Sequence, residues 1–125
     1  MGGKLRVFYA TDVHGSEKCY LKFLNTPSVY KVNTLILGGD LTGKMIIPIV
    51  KHADGTSAAE FLGNQYSLKS TQEIEDLEKK IRFTGYYPYR TTADETEKLR
   101  RNPTELEEVF IEVMIDTLRC WVRMA

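Results

Sequence analysis

Asp12 and His14 stand one residue apart in Thr11-Asp12-Val13-His14-Gly15, and Asp40 follows two glycines in Gly38-Gly39-Asp40-Leu41. One imidazole and two carboxylates make a mixed nitrogen and oxygen donor set, suited to Mn, Fe, Zn or a similar divalent ion rather than to a soft thiolate site. Side chains two apart in an extended segment turn to the same side, so Asp12 and His14 can face one point. The plain alternative is a turn aspartate capping the next helix beside a solvent-facing histidine. Gly38, Gly43 and Lys44 also fit the G-x-x-x-x-G-K frame of a phosphate-cradling loop. That frame needs Ser or Thr after the lysine and a helix beyond it. Met45 follows instead, then Ile46-Ile47-Pro48-Ile49-Val50, which reads as a strand and would break a helix at its proline. Asp40 would also put negative charge where phosphates should lie. The phosphate-loop reading is rejected on these grounds, and Lys44 reads as a surface lysine at a strand start.

Positioning three ligands at one point requires neighbouring strand ends. Leu5 to Ala10 reads as a short buried strand and Thr34 to Leu37 as a second. Between them Ser16 is the N-cap of a helix through Leu24, with Pro27 as its stop. Strand, helix and strand in this span predict a βαβ unit with parallel strands and a right-handed crossover, so both strand-end loops open at one edge of the sheet. Ligand sites in open α/β sheets form at such carboxyl ends.

The remainder predicts three further segments. Met45 to Leu68 reads as an antiparallel hairpin turning at Asp54-Gly55, with a third short strand after Gly63-Asn64. His52, beside that turn, reads as a turn-flanking residue rather than a ligand. Ser70-Thr71-Gln72-Glu73 matches a capping box for a charged helix stopping at Gly85, and Tyr86-Tyr87-Pro88-Tyr89-Arg90 reads as an aromatic connector. Thr92 with Glu95 repeats the capping signal for a short helix. Asn102-Pro103 opens a last one, whose apolar stripe runs from Leu106 to Val122 at a period near 3.6. The expected organisation is a βαβ metal-motif unit over 1–44, a hairpin insertion over 45–69 and a helical segment over 70–125.

At 125 residues the chain fits one domain or part of one. Seventeen basic residues balance seventeen acidic ones, so no global positive field recommends a nucleic-acid partner. Cys19 and Cys120 fall in different predicted helices without C-x-x-C spacing and read as reduced thiols. A four-residue apolar run near the start is too short for a membrane span, and the expectation is a soluble, cytoplasmic protein.

The pair of segments, Asp12-Val13-His14 and Gly38-Gly39-Asp40-Leu41, resembles the first two motifs of the calcineurin-like metallophosphoesterases. The hairpin and Tyr86 to Thr92 also resemble a prokaryotic branch of that family. The resemblance implies an α/β layered sandwich, here a βαβ start with an inserted hairpin, C-terminal helices and an incomplete core. It implies that Asp12 and His14 bind a first metal and that Asp40 bridges to a second, for two divalent ions in the complete domain. The implied activity is hydrolysis of a phosphate mono- or diester by a hydroxide shared between the ions, on a phosphorylated substrate of unspecified class. The family's later G-N-[HD] and G-H-x-H motifs have no counterpart: Gly63-Asn64-Gln65 lies in the hairpin, and His14 and His52 are the only histidines. The chain is therefore expected to hold the N-terminal part of such a domain and to show little or no turnover alone. The alternative is a non-catalytic, truncated or degenerate module that binds a partner.

Overall fold

A computed structural model describes residues 3–125 as a mixed α/β fold with five helices and two small sheets among those residues. β1 (Val7–Ala10) and β2 (Thr34–Leu37) pair in parallel, Val7 opposite Thr34 and Ala10 opposite Leu37. Between them run α1 (Glu17–Leu24) and α2 (Thr26–Tyr30). Ser16 caps α1 as the sequence predicts, accepting from the Cys19 amide at 3.3 Å while donating to the Phe83 carbonyl at 2.7 Å. Pro27 does not end α1. Asn25 closes that helix and Pro27 sits in the first turn of α2, where a missing N–H leaves no bond unmade.

The second sheet has the order β5-β4-β3-β6, from β3 (Ile46–Lys51), β4 (Ser57–Phe61), β5 (Asn64–Leu68) and β6 (Tyr87–Thr92). The predicted hairpin supplies the first three strands of this sheet. The aromatic connector expected at Tyr86 to Arg90 is instead mostly strand: β6 lies parallel to β3 over its whole length, Ile46 opposite Tyr87 and Lys51 opposite Thr92. β4 covers β3 only at Val50 and Lys51, so most of β3 would be an open edge without β6. Both prolines fit this arrangement. Pro88 lies on the outermost strand, and Pro48 lies where β4 has not yet begun to pair.

Helices cover both faces of the larger sheet. On one, Ile47, Ile49, Ala59, Phe61 and Leu68 pack against Leu77 and Ile81 of α3 (Thr71–Phe83). α3 starts as the capping signal predicts, with the Ser70 hydroxyl accepting from the Glu73 amide at 3.2 Å and the Glu73 carboxylate accepting from the Lys69 amide at 2.8 Å. Against the other face lie α4 (Ala93–Arg101) and α5 (Pro103–Met124), which leave an apolar cavity of about 570 Å³ between Ile46, Pro48 and Tyr89 of the sheet and Leu99, Leu106 and Phe110 of the helices. Of the predicted stripe of α5, Phe110 meets Tyr87 of β6 edge-on at 5.8 Å and Trp121 is buried and stacks on Tyr20 of α1 at 4.5 Å, while Leu106 and Val122 at its two ends are exposed. On the β1-β2 sheet, Phe8 packs toward α1 and α2, with its ring 6.2 Å from Phe23 and 5.7 Å from Tyr30. The strand expected to be buried over Leu5 to Ala10 starts only at Val7 and is covered on one face alone: Leu5, Val7 and Tyr9 are exposed, as is Ile36 beside them on β2. No helix among the described residues is long and apolar enough to cross a membrane.

One side-chain contact between β6 and α4 gives the fold a signature at high pH. The Tyr89 hydroxyl donates to Glu95 at 2.8 Å, and that bond, with burial and the nearby charge of Glu95, pushes the phenol up to about 12. Burial raises Tyr20 and Tyr87 as well. An unfolded tyrosine ionises near 10, so above that pH the unfolded chain has lost protons that the fold still holds. Stability should therefore fall as pH rises from about 10 toward 12, and Tyr89→Phe should make that fall shallower. Urea midpoints measured across this window check it, and identical slopes in the two proteins would contradict it.

Candidate metal centre

The ladder between β1 and β2 continues past the strand ends and holds their loops in register. The Gly38 amide donates to Ala10 at 2.7 Å, the Asp12 amide to Gly39 at 3.1 Å, the His14 amide to Asp40 at 3.0 Å and the Gly15 amide to Leu41 at 2.8 Å. The Thr11 hydroxyl adds a bond to the Gly39 carbonyl at 2.9 Å. Along the first loop the side chains alternate. Val13 turns inward and is buried with Tyr20 and Trp121, while Asp12 and His14 are exposed.

These bonds bring all three sequence-predicted ligands together. One donor atom each from Asp12, His14 and Asp40 lies within 4.8 Å of the other two. His14 stands between the carboxylates, with Nδ1 3.4 Å from Asp40 and Nε2 4.0 Å from Asp12. Each side chain is at least half exposed, at 60%, 52% and 53% for Asp12, His14 and Asp40. Donors about 2.0–2.2 Å from a tetrahedral ion sit about 3.5 Å apart, so rotations of roughly an ångström close this set on an ion. The donor chemistry and the spacing both fit a divalent ion.

The backbone carries a second mark of the site. Asp12, His14 and Asp40 all have positive φ, at 58°, 52° and 60°, in the left-handed region. Asp and His tolerate it better than most residues, yet each still costs on the order of 1 kcal/mol. The other non-glycine residues there occupy ordinary turn positions: Lys31 caps α2 and Leu62 lies in the β4-β5 turn. Strain gathered on these three candidate residues is the kind stored at functional sites.

Beneath the ligand loops the two sheets meet backbone to backbone. A Cβ on Gly15 would lie 2.6 Å from the Gly43 nitrogen, and one on Gly43 would lie 2.7 Å from the Gly85 carbonyl oxygen, so side chains at either position would separate the loops. The Gly43 amide donates to the Tyr87 hydroxyl at 2.6 Å and the Lys44 amide to the Gly85 carbonyl at 3.0 Å, tying the loop after β2 to the start of β6. Sequence reasoning misses Tyr87 as a support for the site. Its signal is the aromatic run at Tyr86 to Tyr89, which only the strand assignment interprets.

Two other polar candidates stand apart. The Lys44 ammonium lies over the Tyr86 ring, 5.1 Å from its centroid, and residues 46–51 form β3, so the G-x-x-x-x-G-K frame opens no helix. His52 belongs to the hairpin turn, where the Asp54 carboxylate accepts from the Thr56 hydroxyl at 2.6 Å and from its amide at 2.9 Å. Those bonds from Thr56, with a smaller contribution from His52, hold Asp54 below the usual carboxylate range. Cys19 and Cys120 are free and exposed. No protein-family model, curated protein or solved structure matches this chain.

Proposed function

We propose that Asp12, His14 and Asp40 bind a divalent ion, of Mn, Fe or Zn type, as part of a site that hydrolyses phosphate esters. The observation that supports this most directly is the convergence of three strained, exposed ligand side chains at the carboxyl ends of two parallel strands. An ion held there supplies Lewis acidity toward a phosphoryl oxygen and acidifies water near neutral pH. The chain's own residues hold the geometry: the Gly39 and Asp40 carbonyls fix the loop that presents Asp12 and His14. Gly39 leaves its side of the loop open, since a Cβ there would meet nothing within 4 Å, and a phosphoryl group can approach closely.

A resemblance to the calcineurin-like metallophosphoesterases, in the order D-x-H then G-D, accords with this assignment. Three donors are one ion's share, and they form the one such group among the described residues. Donor count therefore favours a second reading, in which the site binds an ion and a phosphate ester with little turnover. Both readings predict that Mn(II) tightens orthophosphate binding at least about tenfold, or 1.4 kcal/mol. Asp40→Asn should remove that enhancement. Phosphate binding indifferent to Mn(II) contradicts both readings. Mn(II)-dependent cleavage of bis(p-nitrophenyl) phosphate, lost in Asp40→Asn, selects the catalytic one.

A further inference from the structure

α5 carries a second apolar line besides the residues that pack on the fold. Ile111, Ile115, Leu118 and Val122 recur at intervals of 4, 3 and 4 residues, the spacing of a coiled-coil seam, and at about 100° per residue they fall within about 60° of one another. Phe110 and Trp121, which hold α5 to β6 and α1, lie about 100° around the helix from that line. The seam is open: Ile111 and Ile115 are 42% and 40% exposed, Val122 is 74% exposed and Leu118 is half-buried. A shallow apolar groove of about 380 Å³ runs along Ile115, Leu118 and Val122.

The charges beside the seam are sorted along the helix. Glu108 and Glu112 lie on its outer flank in the first half, and Arg119 and Arg123 lie on the same flank in the second. Both glutamates and Arg123 make no ion pair among the described residues, and Arg119 has only a 3.7 Å contact with Asp116 between two exposed side chains. A second α5 laid antiparallel, about a two-fold axis between Ile115 and Leu118, meets this order with its opposite. Ile111 then faces the partner's Val122, Ile115 faces the partner's Leu118, and Glu112 lies against the partner's Arg119 on both sides of the axis. Glu108 and Arg123 repeat the match one turn outward. A parallel pair would instead bring each charged flank against the side of the helix that the fold occupies.

Surface area points the same way. The chain exposes 8529 Å², whereas a compact monomer of 14.3 kDa exposes about 6,800 Å². The difference is about twice the ~800 Å² that each partner gives to a standard interface, so the chain can bury such an area and still expose what a compact domain does. The bare face of the β1-β2 sheet is another uncovered patch, but the charges beside β1, Lys4 and Arg6, are of one sign and repel in a two-fold contact.

We propose that α5 is the contact between two copies of this chain, packed antiparallel about a two-fold axis. The apolar seam drives the association, and the sorted charges fix its direction. The contact is independent of the candidate metal centre. Sedimentation equilibrium of the whole chain in EDTA tests it. One chain should pass to two, half-associated at or below about 100 μM, and Ile115→Lys should weaken this at least about tenfold. Glu112→Arg and Arg119→Glu should each weaken it severalfold alone, because each sets like charges together on both sides of the axis. An equimolar mixture of those two variants should associate as tightly as the wild type, because each supplies the charge that the other lacks. Circular dichroism verifies that the variants fold, and all three positions are exposed. A monomer at every concentration, association untouched by Ile115→Lys, or a mixture no tighter than its components overturns the proposal. Association lost in Tyr9→Lys but kept in Ile115→Lys also overturns it, and places the contact on the bare face of the β1-β2 sheet.

Discussion

Trp121→Ala is expected to destabilise the fold by about 3–5 kcal/mol, the usual cost of emptying a buried tryptophan site. The ring is 3% exposed and stacks on Tyr20 with 16° between their planes. The Tyr20 hydroxyl donates to the Trp121 carbonyl at 2.6 Å, so the contact joins α1 to the last turns of α5 by both ring and backbone. Against a total stability of roughly 5–15 kcal/mol for a domain of ordinary size, this loss leaves little. The same ring backs Val13, the residue between Asp12 and His14, so ion affinity should fall with stability. Urea unfolding of the two proteins measures the first effect, and a loss below about 1 kcal/mol would contradict this assignment of the core.

Asp12→Gly combined with Asp40→Gly should move the same two quantities in opposite directions. Glycine accepts positive φ without strain, and removing both carboxylates ends their mutual repulsion. The ion-free fold should gain up to about 1 kcal/mol, after allowance for the greater freedom of glycine in the unfolded chain. Ion binding should be lost, because His14 alone is left of the three donors. Fixed strain retained at ligands, at a cost in stability, is what a site selected for function displays. A loss of about 1 kcal/mol or more in the ion-free variant would mean that these residues are held where they are for structural reasons.

The parts of the fold written in local signals were legible in the sequence. β1, β2, the capped start of α1, the three hairpin strands and the capping boxes of α3 and α4 all rest on neighbours within a few residues. So did the convergence of Asp12, His14 and Asp40, because parallel strands bring their carboxyl ends together whatever lies elsewhere. β6 was not legible. Tyr87-Pro88-Tyr89 becomes a strand because β3 offers an open edge some forty residues earlier, and a contact of that range leaves no mark in a local window. Pro27 was ambiguous for another reason: a proline after a helix and a proline starting one look alike until Asn25 is seen between them. The Tyr20-Trp121 contact likewise arises only when distant segments fold together.

The central claim is that Asp12, His14 and Asp40 hold an ion. Mn(II) titration followed by electron paramagnetic resonance, on the wild-type chain and on Asp40→Asn, tests it most directly. The predicted result is saturation at one ion per chain, with affinity reduced about 100-fold or more in the variant, since even outer-shell partners of metal sites are worth 10–100-fold. Absence of saturable binding by the wild type, or the same isotherm for both proteins, would contradict it.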